Sequence, residues 1–301
     1  MIVGLSRPTA TLTLGPGILL RPLEQPLTVL DLAAAGAVGF RGWAVLEPVA
    51  SKCFSEIESS NGVAIGPGYN TLNRAWLASV LMMLRGFTRH ICVACSSYSW
   101  NLVAGHQKQA SLAFQKYQGG EAQGQDSERT LATFSGNLLD FHLSLLINKD
   151  ARNDEVTTED AIWINDHFEI FNELAANSQP FRFALEAVID WRYSKDPRSA
   201  VARLWSGIEA IFGITSELVY RISLLSASLL AERGEPRKAK FEEVKKLYGL
   251  RSKVVRGEKL PDDKIALALD DSYRLLADLL LLSINKGRAL GQEDFDRAVF
   301  W

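Results

Sequence analysis

The residues of this chain best placed to do chemistry together lie in "YGLRSKVVRGE", Tyr248 to Glu258. Arg251 and Arg256 bracket four residues near what reads as a helix end, and Gly257 follows at once. Phe241, Val244, Tyr248, Arg251 and Val255 recur at steps of three and four, which places Arg251 on the apolar stripe of that helix. A guanidinium does not give up its proton and is costly to bury alone. Arg251 is therefore expected either to hold a carboxylate, for which Glu209 in a preceding helix is the candidate, or to receive an anion. Arg256 has a simpler explanation at hand. With Gly257 as the helix cap it sits in the last turn, where cations favour the negative end of the helix dipole.

Charge is segregated around the same helix. Between Arg233 and Lys259 there are ten basic and four acidic residues, a net of +6; the whole chain is −2, so the remainder carries −8. The molecule is no polycation, and any nucleic-acid binding must come from this local patch. A solvated basic face of a helical bundle would show the same pattern.

Other clusters read as structural. "HICVAC" brings His90, Cys92 and Cys95 close in sequence, with Cys53 or His106 available to complete a zinc site. The residues between the two cysteines read as strand, however, and buried free thiols are the simpler expectation. His142 and His167 lie in apolar surroundings and read as packed side chains. "GPGILL" and "GPGYN" are turns, because proline withholds a donor that a phosphate cradle needs. No metal and no cofactor are expected.

The elements that must carry these residues divide the chain in two. At 301 residues, 47% hydrophobic and 23% charged, it is long enough for two domains. Residues 1–150 read as a mixed α/β domain. "TATLTL" alternates as a strand does, "GPG" turns, and "ILLRPL" returns; "FRGWAVLEPV" is a further strand. A helix is expected from about Thr71 to Phe87, capped by Asn70 or Thr71, and Lys116–Arg129 is a polar loop. Residues 157–301 read as an all-α bundle. Helices are expected from a Thr157 or Thr158 cap, over Phe181–Tyr193, from an Asp196 cap to Gly213, from a Thr215 cap to Gly234, over Arg237–Arg256, and from Pro261 to Gly287. The fold class is thus α+β. Three cysteines do not make a disulfide framework, which fits a reducing cytoplasm. The N-terminus lacks a signal-peptide pattern, and the apolar run Leu275–Ile284 is about half of what spans a bilayer, so no membrane association is expected.

"LWSGIEAIFG", "RISLLSASLLAERG" and "KFEEVKKLYGLRSKVVRGE" together resemble the HEPN superfamily, in particular the branch found in ApeA-like anti-phage proteins. The resemblance covers roughly Ala200 to Leu282. The family signature is an arginine, four to six residues, then a histidine. Arg251 matches the arginine, and Arg256 stands where the histidine belongs. The resemblance implies a helical bundle that dimerises so that two motifs form one composite endoribonuclease site, needing no metal. It implies that Arg251 holds phosphate, that residue 256 marks the acid/base position, and that Glu209 orients Arg251. Lys245, Lys246, Lys253 and Tyr248 are then the expected RNA contacts. Arginine cannot shuttle protons, so this copy is expected to be impaired: a pseudo-enzyme, a silenced copy or an escape variant. The expected partners are RNA, a second copy of the chain, and a phage-derived trigger or an antitoxin. The mixed domain would sense a phage component, position RNA or restrain the nuclease. The alternative is a non-catalytic helical dimer that binds RNA or protein.

Overall fold

The computed structural model describes residues 2–28, 31, 52–60, 74–92, 99–104 and 154–301. They form two compact units, one up to Asp166 and one from His167 to Trp301. The division falls inside a helix rather than ahead of it, where composition places it. The class is α+β, with a small antiparallel sheet followed by helices. The strand expected at Phe40–Val49 and the loop at Lys116–Arg129 lie outside the described residues, as do Cys95, His106 and His142.

In the first unit, β1 (Ile2–Val3), β2 (Leu12–Gly15), β3 (Ile18–Pro22), β4 (Cys53–Ser59) and β5 (Ile91–Cys92) form one sheet in the order β2-β3-β4-β1-β5. Every pairing is antiparallel. The expected hairpin forms: Leu12 faces Leu20, and Gly17 supplies the left-handed turn at φ +70. Leu14, Ile18 and Leu20 point inward and are fully buried, as the alternation requires. α1 (Arg74–Leu84) packs on β3 and β4, burying Leu77, Ala78, Leu81 and Met82. It stops short of Phe87 because Gly86 takes φ +103 and the amides of Gly86 and Phe87 bond back to Met83 and Met82. β4 also carries a buried carboxylate. Glu56 accepts from the hydroxyl of Ser99 and the amide of Trp100, both at 2.6 Å, and so caps the short α2 (Trp100–Val103).

α3 (Thr158–Asn177) opens as expected at Thr157, which exchanges hydrogen bonds with Asp160, and runs across the division into the second unit. In the second unit, α4 (Gln179–Asp190) is capped by Ser178, and a single 3-10 turn, Trp191–Tyr193, ends it. α5 (Pro197–Phe212) shows each expected signal. The Asp196 carboxylate accepts from the amides of Arg198 and Ser199, Pro197 opens the first turn, and Gly213 closes the helix at φ +60. α6 (Leu218–Leu230) departs from expectation at both ends. Glu217 in left-handed backbone precedes it instead of a Thr215 cap, and it stops at Leu230, because Gly234 belongs to the start of the next helix. α7 (Glu235–Val255) begins with Pro236 in its first turn, earlier than Arg237. α8 (Asp262–Lys286) ends at Gly287 as expected, and α9 (Gln292–Phe300) adds an element that periodicity alone does not reveal.

α5 is central to this unit, packing on α4, α7 and α8. Trp191, Trp205, Phe168 and Phe171 are fully buried, and each such side chain contributes about 1.5–3 kcal/mol by leaving water. The indole N–H of Trp205 donates to Ser272 at 2.8 Å, which avoids an orphaned donor in the core. Close approach on the α4 side requires glycine at 207. A Cβ there would lie 2.8 Å from the Cβ of Ala187, 3.0 Å from Leu276 Cδ2 and 3.2 Å from the Cα of Ala184.

Gly207→Ala is therefore expected to lower stability by about 1–3 kcal/mol in urea unfolding. Gly249→Ala, in α7 with nothing near the added carbon, should raise it by about 0.5–1 kcal/mol. A second prediction concerns acid. Asp294 is buried, which raises its pKa, but hydrogen bonds from Lys286, the amide of Gly291 and Arg288 outweigh burial and leave it lowered. Its stabilisation is present above the ordinary carboxylate pKa of about 3.9 and is lost as pH falls through the lowered folded-state value. Asp294→Asn should therefore destabilise at pH 7, with a difference from the parent that shrinks in unfolding curves recorded below about pH 4.

Candidate functional site

The last two turns of α7 bring the expected residues together, in a somewhat different phase. Val244, Leu247, Tyr248 and Val254 are buried; Val255, expected on the stripe, is 43% exposed. Arg251 consequently lies at the margin of the apolar stripe, half-buried. The guanidinium is placed by three neighbours. Tyr248, one turn earlier, lies beneath it with 5.4 Å between guanidinium carbon and ring centroid. Trp205 of α5 meets that tyrosine ring edge-on at 5.0 Å. Glu209, one turn after Trp205, accepts from Arg251 Nη2 at 3.3 Å, so the anticipated ion pair is present. The pair is about a quarter exposed on each side and uses one nitrogen of the guanidinium. Among the described residues, Arg251 Nε is buried with no acceptor.

Tyr248 itself is 8% exposed. Its ring is occupied by Trp205 and Arg251, so it serves as a support for the guanidinium. Lys245, Lys246 and Lys253 are exposed, as a solvated contact surface requires.

Arg256 caps α7 at its C-terminus in helical backbone and folds back, Nε donating to the Ser252 carbonyl at 3.0 Å. Gly257 then takes φ +78, and the amides of Gly257 and Glu258 bond to Val254 and Lys253. One functional neighbour is not foreseen from sequence. Arg198, in the first turn of α5, spans this corner: Nη1 donates to Val254 O at 2.8 Å and Nη2 to Glu258 O at 3.0 Å. Arg198, Arg251 and Arg256 thus gather at one end of α7, with Lys253 alongside.

Only part of the expected zinc grouping lies among the described residues. Cys53 is buried, and both ring nitrogens of buried His90 are engaged, Nε2 with Ser79 Oγ at 2.7 Å and Nδ1 with Phe87 O at 2.5 Å. Among the described residues no three His, Cys, Asp or Glu side chains could share a metal. His167 is half-buried, and no described helix is long and apolar enough to cross a membrane.

Comparison with known protein families, curated proteins and solved structures finds no match to this chain.

Because the Arg251–Glu209 pair is partly hydrated, it contributes little to folding. Glu209→Gln should change unfolding free energy by only about 1 kcal/mol, measured by urea titration. A much larger loss would make the pair part of the core instead of a poised site.

Proposed function

We propose that the chain is a metal-independent endoribonuclease of the HEPN type, serving phage defence or acting as a toxin, and that this copy is impaired because Arg256 occupies the histidine position of the motif. The observation that supports this most is the state of Arg251. Its guanidinium is oriented by Glu209 and Tyr248, remains accessible, and has a buried Nε with no acceptor among the described residues. A cation fixed in that way suits the oxygens of a phosphodiester, where preorganised charge lowers the barrier most.

In this reading the RNA 2'-hydroxyl attacks the adjacent phosphorus and the 5'-oxygen leaves, giving a 2',3'-cyclic phosphate. Arg251 holds the phosphoryl oxygens, and Glu209 orients Arg251. Lys245, Lys246 and Lys253 hold the backbone on either side. The residue at 256 would take the 2' proton or supply one to the leaving oxygen, and arginine does neither at neutral pH. The site is completed by a second copy of the chain, RNA is the ligand, and the cytoplasm is the setting. DNA, lacking the 2'-hydroxyl, is not a substrate.

A second reading is favoured by one specific observation. The Nε of Arg256 is spent on the carbonyl of Ser252, as in an ordinary basic helix end. In that reading the same surface belongs to a helical dimer that binds RNA or protein without cleaving.

The two diverge on one substitution. Arg256→His should raise RNA cleavage by about 10²- to 10⁴-fold, with cyclic phosphate ends, in the presence of chelator, and adding Arg251→Ala should abolish it. If a correctly folded dimer with histidine at 256 cleaves no faster than the parent, the nuclease reading fails. RNA affinity that drops steeply with salt would then identify a binder.

A further inference from the structure

The end of α7 carries one contact more than closing a helix requires. Its own amides already close it. Ser252 O accepts from the amide of Arg256 at 3.2 Å, Lys253 O from that of Glu258 at 3.1 Å, and Val254 O from that of Gly257 at 3.1 Å. Arg198 is therefore a second donor to Val254 O, at 2.8 Å, and its other terminal nitrogen reaches Glu258 O at 3.0 Å, beyond the helix. The two acceptors stand on either side of residues 255–257. One planar guanidinium bridges the backbone before and after Arg256, with two donors fixed relative to each other.

Arg198 is itself held. It lies in the first turn of α5, where the Asp196 carboxylate accepts from its amide at 2.9 Å and from the amide and hydroxyl of Ser199 at 3.1 and 2.7 Å. Eleven residues further along α5, about 16 Å at helical rise, Glu209 accepts from Arg251. Passing from Arg251 to Glu258 on α7 meets Glu209 first and Arg198 second, so the two helices run antiparallel here. One helix thereby holds the side chain of Arg251 and the backbone around residue 256.

We propose that Arg198 is a positioning residue for RNA cleavage: by clamping the backbone on both sides of residue 256, it sets where the acid/base side chain at that position stands relative to the phosphate on Arg251. The proposal rests on the nuclease reading and adds to it a residue outside the arginine–histidine signature. Two observations separate this role from its neighbours. Both terminal nitrogens of Arg198 are donating to carbonyls, which distinguishes it from a cation waiting for phosphate. Val254 O has a helix-end donor without it, which distinguishes it from a plain cap. Arg198 exchanges no proton and bonds to no phosphate; its effect passes through residue 256. Proton transfer needs the acid or base within hydrogen-bond reach, and a displacement of about 1 Å can cost about 10²-fold in rate.

The test uses the full chain with Arg256→His, alone and combined with Arg198→Ala or Arg198→Lys. The substrate is a single-stranded RNA of mixed sequence bearing a fluorophore and a quencher, and folding is checked by circular dichroism and urea unfolding. Arg198→Ala should lower kcat by about 10- to 10²-fold while KM changes less than about threefold. The amides of Gly257 and Glu258, followed by NMR, should exchange with deuterium at least about tenfold faster. Arg198→Lys keeps the charge on one flexible ammonium and should recover part of kcat. A residue that only stabilised the fold would leave kcat per folded molecule unchanged. Unchanged kcat, unchanged amide exchange, or a KM raised about tenfold at constant kcat overturns the positioning role and leaves the nuclease reading standing. Should Arg198→Ala fail to fold, Arg198→Lys decides alone: a kcat lower by about threefold or more supports the role, and an equal kcat overturns it. If Arg256→His alone cleaves no faster than the parent, the nuclease reading fails and the role given to Arg198 falls with it.

Discussion

A guanidinium placed beside the apolar stripe of a helix cannot shed its proton to become neutral, so its surroundings must be built to fit it. In α7 the fit is supplied by α5, which offers Glu209 to one nitrogen of Arg251 and Trp205 to the underside of Tyr248. Trp205 is in turn tied to Ser272 of α8, whose hydroxyl donates to Ala268 O at 2.5 Å. The orientation of one surface cation therefore descends from the interior through three helices. Changes in the core that tilt Trp205 would be felt at Arg251, because packed interiors pass displacement on and absorb little of it.

The end of α7 solves a different problem with the same residue type. The last carbonyls of a helix lack amide partners, and this corner supplies them from two directions. Arg256 reaches back to Ser252 along its own helix, whereas Arg198 crosses from α5 to Val254 and Glu258. Both satisfy acceptors, and both leave positive charge facing outward. An anion approaching Arg251 would meet that charge whether or not residue 256 can move a proton.

What could be read from the chain alone follows from how local each determinant is. The cap at Asp196, Pro197 behind it and the stop at Gly213 are decided within a few residues, and all three stand as anticipated. The Arg251–Glu209 pair is legible too, because a charge that cannot be deprotonated on an apolar stripe demands a partner and α5 offers one. Thr215 and Gly234 misled because each suits a cap, while tertiary packing set the left-handed backbone at Glu217 and gave Gly234 to the following helix. Val255 was placed on the buried face by counting in threes and fours, and the true phase buries Val254 instead. Arg198 and Glu56 were invisible for one reason. Their partners lie 56 and 43 residues away along the chain, and neither spacing nor composition carries such a distance.

Gly207 has a meaning for how this sequence can drift over generations. Ala184, Ala187 and Leu276 surround the space that a missing methyl leaves, and all four positions share a single small volume. A larger residue at any one is tolerated only if another shrinks, so they are free to vary as a set and nearly frozen one at a time. Among descendants of a common ancestor, these four positions would change together, leaving a trace of the α4–α5 contact in the sequences themselves.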